Sequence, residues 1–149
     1  PNYPEPIMSQ SVLRLSAAGT NATSEDLGTA RTLFESVGEV VELPEASIDA
    51  VTGLSGSGPA YVFLIAEALT DAAVREGIAR PVAERMVTQL LSGAAALLAE
   101  HGDPSKLRAN VTSPGGTTAD GLAALESHGV RAAFAAAVRA ATDRSRDLG

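Results

Sequence analysis

The segment from residue 110 to residue 118 holds the residue types best suited to chemistry, in the order Asn-Val-Thr-Ser-Pro-Gly-Gly-Thr-Thr. It places glycines and hydroxyls at the start of a helix that we predict to begin at Thr117. We expect the N–H groups of Gly116, Thr117 and Thr118 to point outward, with the positive end of the helix dipole behind them. Such a helix terminus can bind a carboxylate or a phosphate. Because Ser-Pro-Gly-Gly is also ordinary turn chemistry, the residues alone leave both interpretations open.

A second glycine-rich stretch, Gly-Ser-Gly-Pro-Ala-Tyr at residues 56–61, begins like a dinucleotide-binding fingerprint. Its sixth position is Tyr61, no strand is predicted before it, and Pro59 lacks an N–H that a pyrophosphate would use. We therefore interpret it as a joint between two helices. The chain contains no cysteine, which excludes a thiolate nucleophile and a cysteine-built zinc site, and we predict no metal site.

Charge and composition exclude several classes of partner. The 149 residues carry 11 Lys and Arg against 18 Asp and Glu, a formal net charge of −7, and only 3% are aromatic. Without a basic patch or stacking side chains, nucleic-acid binding is not expected. The apolar stretches are too short or too interrupted to span a bilayer, so no membrane partner is expected. Because the sequence has neither cysteines nor a signal-peptide pattern, we expect a cytoplasmic protein.

Residues 1–43 predict a small α/β segment with two short strands. The first strand is expected near residues 12–15 and the second near residues 40–43, where branched and aliphatic residues cluster. Between them, Thr23 and Asp26 stand at capping-box spacing for a helix that Gly38 is expected to end.

From Pro44 onward the sequence predicts helices separated by glycine and proline. The expected helices run from about 45 to 54, 59 to 76, 81 to 101, 104 to 110, 117 to 128 and 130 to 148. Pro59, Pro81 and Pro104 each stand in a first turn, where a missing N–H costs nothing. The predicted fold class is mainly α, a helical domain preceded by the small α/β segment.

Two of the predicted helices are apolar on every side. The stretch Ala60–Ala66 has no polar residue before Glu67, and residues 90–98 combine leucines with small residues. A helix without a solvent face must be covered all round, and a second copy of the chain is the economical cover. We therefore infer an obligate homodimer, the alternative being a central helix inside a monomer.

Three motifs carry a resemblance to a known family. Residues 49–61 (Asp-Ala-Val-Thr-Gly-Leu-Ser-Gly-Ser-Gly-Pro-Ala-Tyr), residues 111–118 and the closing residues 140–149 resemble pyrroline-5-carboxylate reductase. The resemblance implies reduction of 1-pyrroline-5-carboxylate to L-proline with NADPH or NADH. It also implies a homodimer that can assemble into a ring of dimers.

The resemblance further implies a division into domains. The family's cofactor is bound mainly by an N-terminal Rossmann domain, and this chain corresponds to the C-terminal portion of the family's members, after that domain. Residues 1–43 would be a remnant linking segment, and residues 44–149 an all-helical dimerisation and substrate-binding domain. Since the sequence starts at Pro1, we expect a piece of a longer protein, inactive on its own.

Site residues are implied by the resemblance position by position. N–H groups around Gly116, Thr117 and Thr118 would hold the substrate carboxylate, and the Thr118 hydroxyl would act on the ring nitrogen as the catalytic group. Asn110 would lie beside both substrate and nicotinamide, and Glu45 would line the substrate pocket. The substrate-binding set implied by the resemblance also includes Ser113 and Gly115.

Other interpretations remain open at this point. Glu45 can be a first-turn partner of a helix dipole, and the Thr118 hydroxyl can be a helix cap. The whole chain can be a non-catalytic helical dimerisation module. It can also be the helical domain of a related Rossmann reductase that acts on another small carboxylate.

Overall fold

The computed structural model describes residues 14–16, 23–35 and 40–148. They fall into two compact units, one made of Pro1–Pro59 with Ala135–Gly149, the other of Ala60–Phe134. The boundary between residues 43 and 44 that the resemblance implies stays a prediction.

The first unit begins with two short strands and a helix, as predicted. Strands β1 (Arg14–Ser16) and β2 (Val40–Glu42) pair in parallel, with Leu15 opposite Val41. Helix α1 (Ser24–Glu35) connects them in sequence. The predicted strand residues 12 and 13 and the predicted stop at Gly38 lie outside the described residues.

The capping box of α1 forms as the spacing predicts. The Thr23 N–H donates to Asp26 Oδ2 at 2.8 Å, and the Asp26 N–H donates to Thr23 Oγ1 at 3.2 Å. The Thr23 hydroxyl also donates to the Asp26 carboxylate at 2.6 Å. These hydrogen bonds, that of the hydroxyl first, hold the pKa of Asp26 below its ordinary value.

The single helix predicted over residues 45–54 is instead three short stretches with different hydrogen-bond spacing. Glu45–Ser47 is a 3₁₀ turn, α2 (Ile48–Val51) is one α turn, and Thr52–Gly56 is a π-helical turn. The prediction was correct that this stretch is helical and wrong that it is uniform, because residue propensity does not report hydrogen-bond spacing.

Two long helices dominate the second unit. They are α3 (Gly58–Arg75) and α4 (Arg80–His101), and they end at glycines with left-handed backbone: φ is 95° at Gly77 and 74° at Gly102. Only glycine adopts this conformation without strain, so it serves as the helix stop. Asp71 accepts a 2.8 Å hydrogen bond from Arg80, which raises the pKa of that guanidinium.

Three further helices complete the chain: α5 (Pro104–Asn110), α6 (Thr117–Ser127) and α7 (Val130–Leu148). Asp103 caps α5, because its carboxylate accepts the N–H groups of Ser105 and Lys106 at 3.0 Å each. His128 Nδ1 lies 2.8 Å from the Ala124 carbonyl oxygen at the end of α6, a favourable position for an imidazole. The mainly α prediction is confirmed.

Large apolar side chains of α3 and α4 remain exposed. Val62, Phe63 and Leu64 are 47%, 59% and 64% exposed, and the buried apolar residues among those described are only Ala83 and Val87. The exposed set on these two helices continues with Leu69, Val82, Met86, Leu90, Leu97 and Leu98. Within the described residues, no helix is both long enough and apolar enough to cross a membrane.

Candidate functional site

The candidate site is the loop between α5 and α6. Helix α5 ends at Asn110. The chain then turns away, because the Thr112 N–H donates to the Ala109 carbonyl at 3.1 Å and the Thr112 hydroxyl donates to the Arg108 carbonyl at 2.6 Å. These two bonds satisfy carbonyls at the end of α5 and leave the Asn110 side chain exposed at its last position.

A tight turn over Ser113–Gly116 starts α6. Pro114 stands second and Gly115, with φ of +69°, stands third, as a type II turn requires. The Gly116 N–H donates to the Ser113 carbonyl at 3.1 Å and closes the turn. The expectation that this N–H points outward is therefore wrong, because the turn that directs the chain into the helix uses it.

The next two N–H groups are not used by hydrogen bonds within the described residues. Gly116 is the N-cap of α6, and its carbonyl accepts the Ala119 N–H at 3.0 Å. Thr117 and Thr118 are the first two residues of the helix, and no acceptor for their N–H groups lies among the described residues. Both residues are exposed. Two unpaired donors at the positive end of an 11-residue helix form an anion-binding arrangement.

Four polar side chains of the loop and of the first turn of α6 have no internal partners. Among the residues that the structure describes, none accepts or donates a hydrogen bond to their side-chain atoms, and all four are exposed. They are Asn110, Ser113, Thr117 and Thr118. An amide and three hydroxyls can both donate and accept, so these side chains can give a small polar ligand hydrogen bonds of either sense.

Glu45 belongs to the other unit. It is the first residue of the 3₁₀ turn after Pro44, and it is exposed. The loop residues from Asn110 to Thr118 follow one another in the chain and lie in one unit, while Glu45 lies in the other unit. Its place in a substrate pocket stays a prediction.

The described residues form neither a dinucleotide-binding turn nor a metal-binding cluster. The glycine-rich stretch at residues 56–61 joins the π-helical turn to α3, as predicted, and the residues before it are helical rather than a strand. It therefore lacks the strand–turn–helix geometry that holds a pyrophosphate. No cluster of three metal-binding side chains occurs in the described part of the chain.

Sequence reasoning missed three residues outside the loop. Gly53 is buried against α7, and Asp49 accepts a 2.7 Å hydrogen bond from Ser145. A glycine inside a helical pattern is a signal for close packing, and Gly53 carried that signal. The Asp49–Ser145 pair carried none, because its members lie 96 positions apart.

Comparisons with known proteins identify relatives of this fold and loop. A family model described as pyrroline-5-carboxylate reductase dimerisation matches residues 45–148. The pyrroline-5-carboxylate reductase of Methanosarcina acetivorans is 50% identical over 134 residues, which cover 89% of this chain and 50% of that protein. The enzyme of the same name from Thermus thermophilus is 46% identical over 143 residues, which cover 96% and 54% respectively.

Solved structures give the same result. A crystal structure of pyrroline carboxylate reductase from Plasmodium falciparum with NADP bound superposes with a TM-score of 0.81 at 34% identity, covering 91% of this chain and 52% of that one. The pyrroline-5-carboxylate reductase of Coxiella burnetii gives 0.82 at 38% identity, covering 88% and 49%.

The helices and the loop between α5 and α6 define a mainly α domain with an open helix terminus. The matched residues show that the chain belongs to the pyrroline-5-carboxylate reductase dimerisation family. It spans about half the length of the curated relatives that it matches.

Proposed function

We propose that this chain is the dimerisation and substrate-binding part of a pyrroline-5-carboxylate reductase. The whole enzyme would reduce 1-pyrroline-5-carboxylate to L-proline with NADPH or NADH. One observation carries the proposal: in a chain of this family, the start of α6 offers two unpaired N–H groups next to hydroxyls without internal partners.

The substrate carboxylate binds at the start of α6. The N–H groups of Thr117 and Thr118 donate to its oxygens, and the dipole of the helix favours the negative charge. Hydrogen bonds from N–H groups to an ionised acceptor are about twice as strong as neutral ones. The Ser113–Gly116 turn holds these donors in place, with Gly115 supplying its left-handed residue.

The Thr118 hydroxyl acts on the ring nitrogen of the bound imine. NADPH or NADH, when bound, supplies a hydride to the imine carbon, so the ring nitrogen must hold a proton in the product. A hydroxyl without an internal partner can donate a hydrogen bond to that nitrogen and orient there the proton that solvent water supplies. The substrate carboxylate and ring nitrogen are thus both recognised from the first turn of α6.

Asn110 suits a position between substrate and cofactor. Its exposed carboxamide ends α5 and can pair with another carboxamide, such as that of nicotinamide. No described residue forms the strand and glycine turn that bind a dinucleotide, so we propose that most of the cofactor site is supplied outside this chain. The chain alone is therefore expected to be inactive.

A second copy of the chain covers the exposed apolar side chains of α3 and α4. Phe63 and Leu64, which are 59% and 64% exposed in the single chain, would lose that exposure in a fully buried interface. Burying a large aliphatic or aromatic side chain contributes about 1.5–3 kcal/mol, so a few such residues favour a stable homodimer. A ring of dimers, a cytoplasmic location and the absence of nucleic-acid and membrane partners stay predictions.

Titration of the chain with L-proline tests the site directly. We expect saturable NMR shifts of the Thr117 and Thr118 amides, and weaker binding by Thr118→Ala. Thr32→Ala is a matched control, because the Thr32 hydroxyl is bonded to the Gly28 carbonyl within α1. A chain that shows no saturable shift would instead be a dimerisation module without a substrate site.

Turnover and assembly measurements complete the test. The isolated chain should be dimeric by light scattering and show no NADPH-dependent reduction of 1-pyrroline-5-carboxylate, while the full-length enzyme should reduce it. Turnover by the isolated chain would contradict the proposal that the cofactor is held mainly elsewhere. Reduction of a different small carboxylate by the full-length enzyme would indicate a related reductase.

A further inference from the structure

The chain around the α5–α6 loop divides into two groups of hydrogen bonds. Residues 104–112 form the first group, in which Thr112 is bonded back to the end of α5. Residues 113–127 form the second group, in which Gly116 closes the turn that starts α6 and is the N-cap of that helix. Among the described residues, no hydrogen bond crosses from one group to the other. The chain between Thr112 and Ser113 is therefore a point about which α5 can turn relative to α6 without losing a hydrogen bond.

The two groups carry different parts of the candidate site. Asn110 ends α5 and belongs to the first group, while the N–H groups of Thr117 and Thr118 belong to the second. Helix α5 has only 7 residues, and isolated helices shorter than about 12 residues are marginal in water. The place of the Asn110 carboxamide relative to the two N–H groups therefore depends on the contacts that α5 makes with other helices.

Glu126 makes such a contact near the far end of α6. Its Oε1 lies 3.9 Å from Arg108 Nη1, and in the described part of the chain this is the only hydrogen bond or ion pair between α5 and α6. Glu126 stands nine residues after Thr117, which is about 13 Å along the helix. A contact at that distance from the start of α6 restrains the angle between the two helices, because a small change of angle separates the two charges.

The Glu126 carboxylate is held from a second side. Arg131 Nε, in the first turn of α7, lies 2.8 Å from Glu126 Oε1 and 3.0 Å from Oε2. Since this hydrogen bond already orders the carboxylate, the ion pair with Arg108 costs less side-chain entropy than an isolated pair would. The side chains of Arg108 and Glu126 are 47% and 45% exposed, so solvent screens their attraction and its effect is modest.

We infer that Glu126 is a positioning residue for Asn110, and that its ion pair with Arg108 raises the affinity for substrate. The inference rests on the proposed function, in which Asn110 lies beside the substrate that the start of α6 binds. When the pair is broken, α5 adopts more than one angle, and only a fraction of molecules present Asn110 to the ligand. The apparent affinity falls in proportion to that fraction. All of these residues lie in the second unit.

Calorimetric titration of the full-length enzyme with L-proline tests the inference. We expect Glu126→Gln and Arg108→Met each to raise Kd about threefold, the size that suits a partly exposed ion pair. Arg108→Lys should bind within about 1.5-fold of the parent enzyme, because at 3.9 Å the contact is an attraction between charges rather than a directed hydrogen bond. Raising the salt concentration from about 0.05 M to about 1 M should bring the ratio of variant to parent Kd towards one.

A double-mutant cycle shows whether Glu126 acts through Asn110. Asn110→Ala should itself weaken the binding of L-proline. Adding Glu126→Gln to it should weaken binding no further, because no carboxamide remains to be positioned. A general loss of structure at Glu126 would instead add its full effect in the Asn110→Ala background, and that result overturns the inference. The melting temperature of every variant is measured alongside.

Glu35→Gln is the matched control for the loss of an ion pair. Glu35 pairs with Arg31 at 3.5 Å, with side chains 53% and 46% exposed, but both residues lie within α1 and the pair joins no two elements. The control should therefore leave the Kd for L-proline unchanged. Unchanged Kd values in both Glu126→Gln and Arg108→Met overturn the inference.

Two outcomes separate the failure of this inference from the failure of the proposed function. If Thr118→Ala weakens L-proline binding while Asn110→Ala and Glu126→Gln do not, the site at the start of α6 stands and the positioning role is wrong. If the parent enzyme shows no saturable binding of L-proline, the proposed function is wrong and the inference is overturned with it. A rise in Kd for Glu126→Gln that Asn110→Ala abolishes supports both.

Discussion

Two glycine-rich segments of this chain have a similar composition, but their glycines have different structural roles. Residues 53–59 read Gly-Leu-Ser-Gly-Ser-Gly-Pro and residues 113–118 read Ser-Pro-Gly-Gly-Thr-Thr. Each leads into the first turn of a helix. In the first, Gly53 is buried and lets two backbones approach closely. In the second, Gly115 is exposed and supplies a left-handed turn residue.

The hydrogen bonds of the two segments differ in the same way. The Ser57 N–H donates to the Thr52 carbonyl at 3.0 Å, within a continuous run of helical turns. The Thr117 and Thr118 N–H groups have no acceptor among the described residues. A glycine-rich sequence therefore does not by itself identify a binding site. Unpaired donors at an exposed helix start are groups that a ligand can satisfy, so residues 113–118 are the candidate site.

The largest predicted effect is on catalysis and concerns the segment at residues 113–118. Thr118→Ala in the full-length enzyme should lower kcat about a hundredfold, the lower end of the range for losing a proton-transfer group. Stability should change by less than about 0.5 kcal/mol, because the side chain is exposed and lacks an internal partner. Stopped-flow or steady-state kinetics and thermal melting measure the two quantities.

The control for this prediction is Thr32→Ala, at an exposed threonine whose hydroxyl is bonded within α1. It should leave kcat unchanged. Equal kcat values for Thr118→Ala and the parent enzyme would mean that Thr118 has no catalytic role. The first turn of α6 would then bind substrate without acting on it.

The next largest effect is on stability and concerns the segment at residues 53–59. Gly53→Ala should lower the free energy of unfolding by about 3 kcal/mol, because its Cβ meets the Val138 carbonyl at 2.9 Å and neither backbone can move freely. The melting temperature should fall on the order of 10 °C. Gly56→Ala is the matched control in the same segment, since its Cβ would meet only Thr52 Cγ2 at an ordinary 3.7 Å.

If Gly53→Ala and Gly56→Ala were equally stable, the close approach of the π turn to α7 would not occur in solution. Chemical denaturation of both variants provides the comparison.

The elements could be predicted from the sequence where a local signal decides them. Proline in first turns, glycine after the last turn and the Asp103 cap predict the boundaries of α3 to α6 within a few residues. The Thr23–Asp26 capping box is likewise local. In each case the deciding atoms lie within four positions of one another, so the pattern contains the whole cause.

Features that depend on distant contacts could not be predicted in this way. The division of residues 45–56 into three kinds of turn has no local signal in the sequence, and Gly53 of this stretch packs on α7. The Asp49–Ser145 bond joins residues 96 positions apart. The state of the Gly116 N–H depends on whether the turn closes on Ser113, and the residues allowed either outcome. The loop position of the candidate site was predictable, and its number of free donors was not.

A smaller effect on stability is expected from backbone strain at Gly115, in the segment at residues 113–118. Gly115 has φ of +69°, and a residue with a side chain there costs about 1–2 kcal/mol even though its Cβ would meet nothing within 4 Å. Gly115→Ala should therefore lower stability by that amount. Gly115→Asn should cost less, because asparagine tolerates the left-handed region. An equal cost for both variants would mean that space, rather than backbone conformation, limits this position.

The smallest effect is expected at Gly116 and separates the two segments most directly. A Cβ added there would clash with Ser113 Oγ, and it would lie 3.2 Å from the Ser113 carbonyl. Gly116 has an ordinary φ of −87°, so no backbone strain is added. Because the Ser113 hydroxyl is the end of an exposed side chain and can rotate away, Gly116→Ala should cost less than about 1 kcal/mol.

The double variant Ser113→Ala with Gly116→Ala removes the clashing hydroxyl. It should be as stable as Ser113→Ala alone, apart from the small cost of the carbonyl contact. Gly53 offers no such relief, because the Val138 carbonyl and the Thr142 nitrogen that crowd it belong to a helix backbone. A cost at Gly116 as large as that at Gly53, and one that Ser113→Ala does not relieve, would mean that the start of α6 is packed rather than open. The two N–H groups of Thr117 and Thr118 would then be unable to reach a substrate carboxylate.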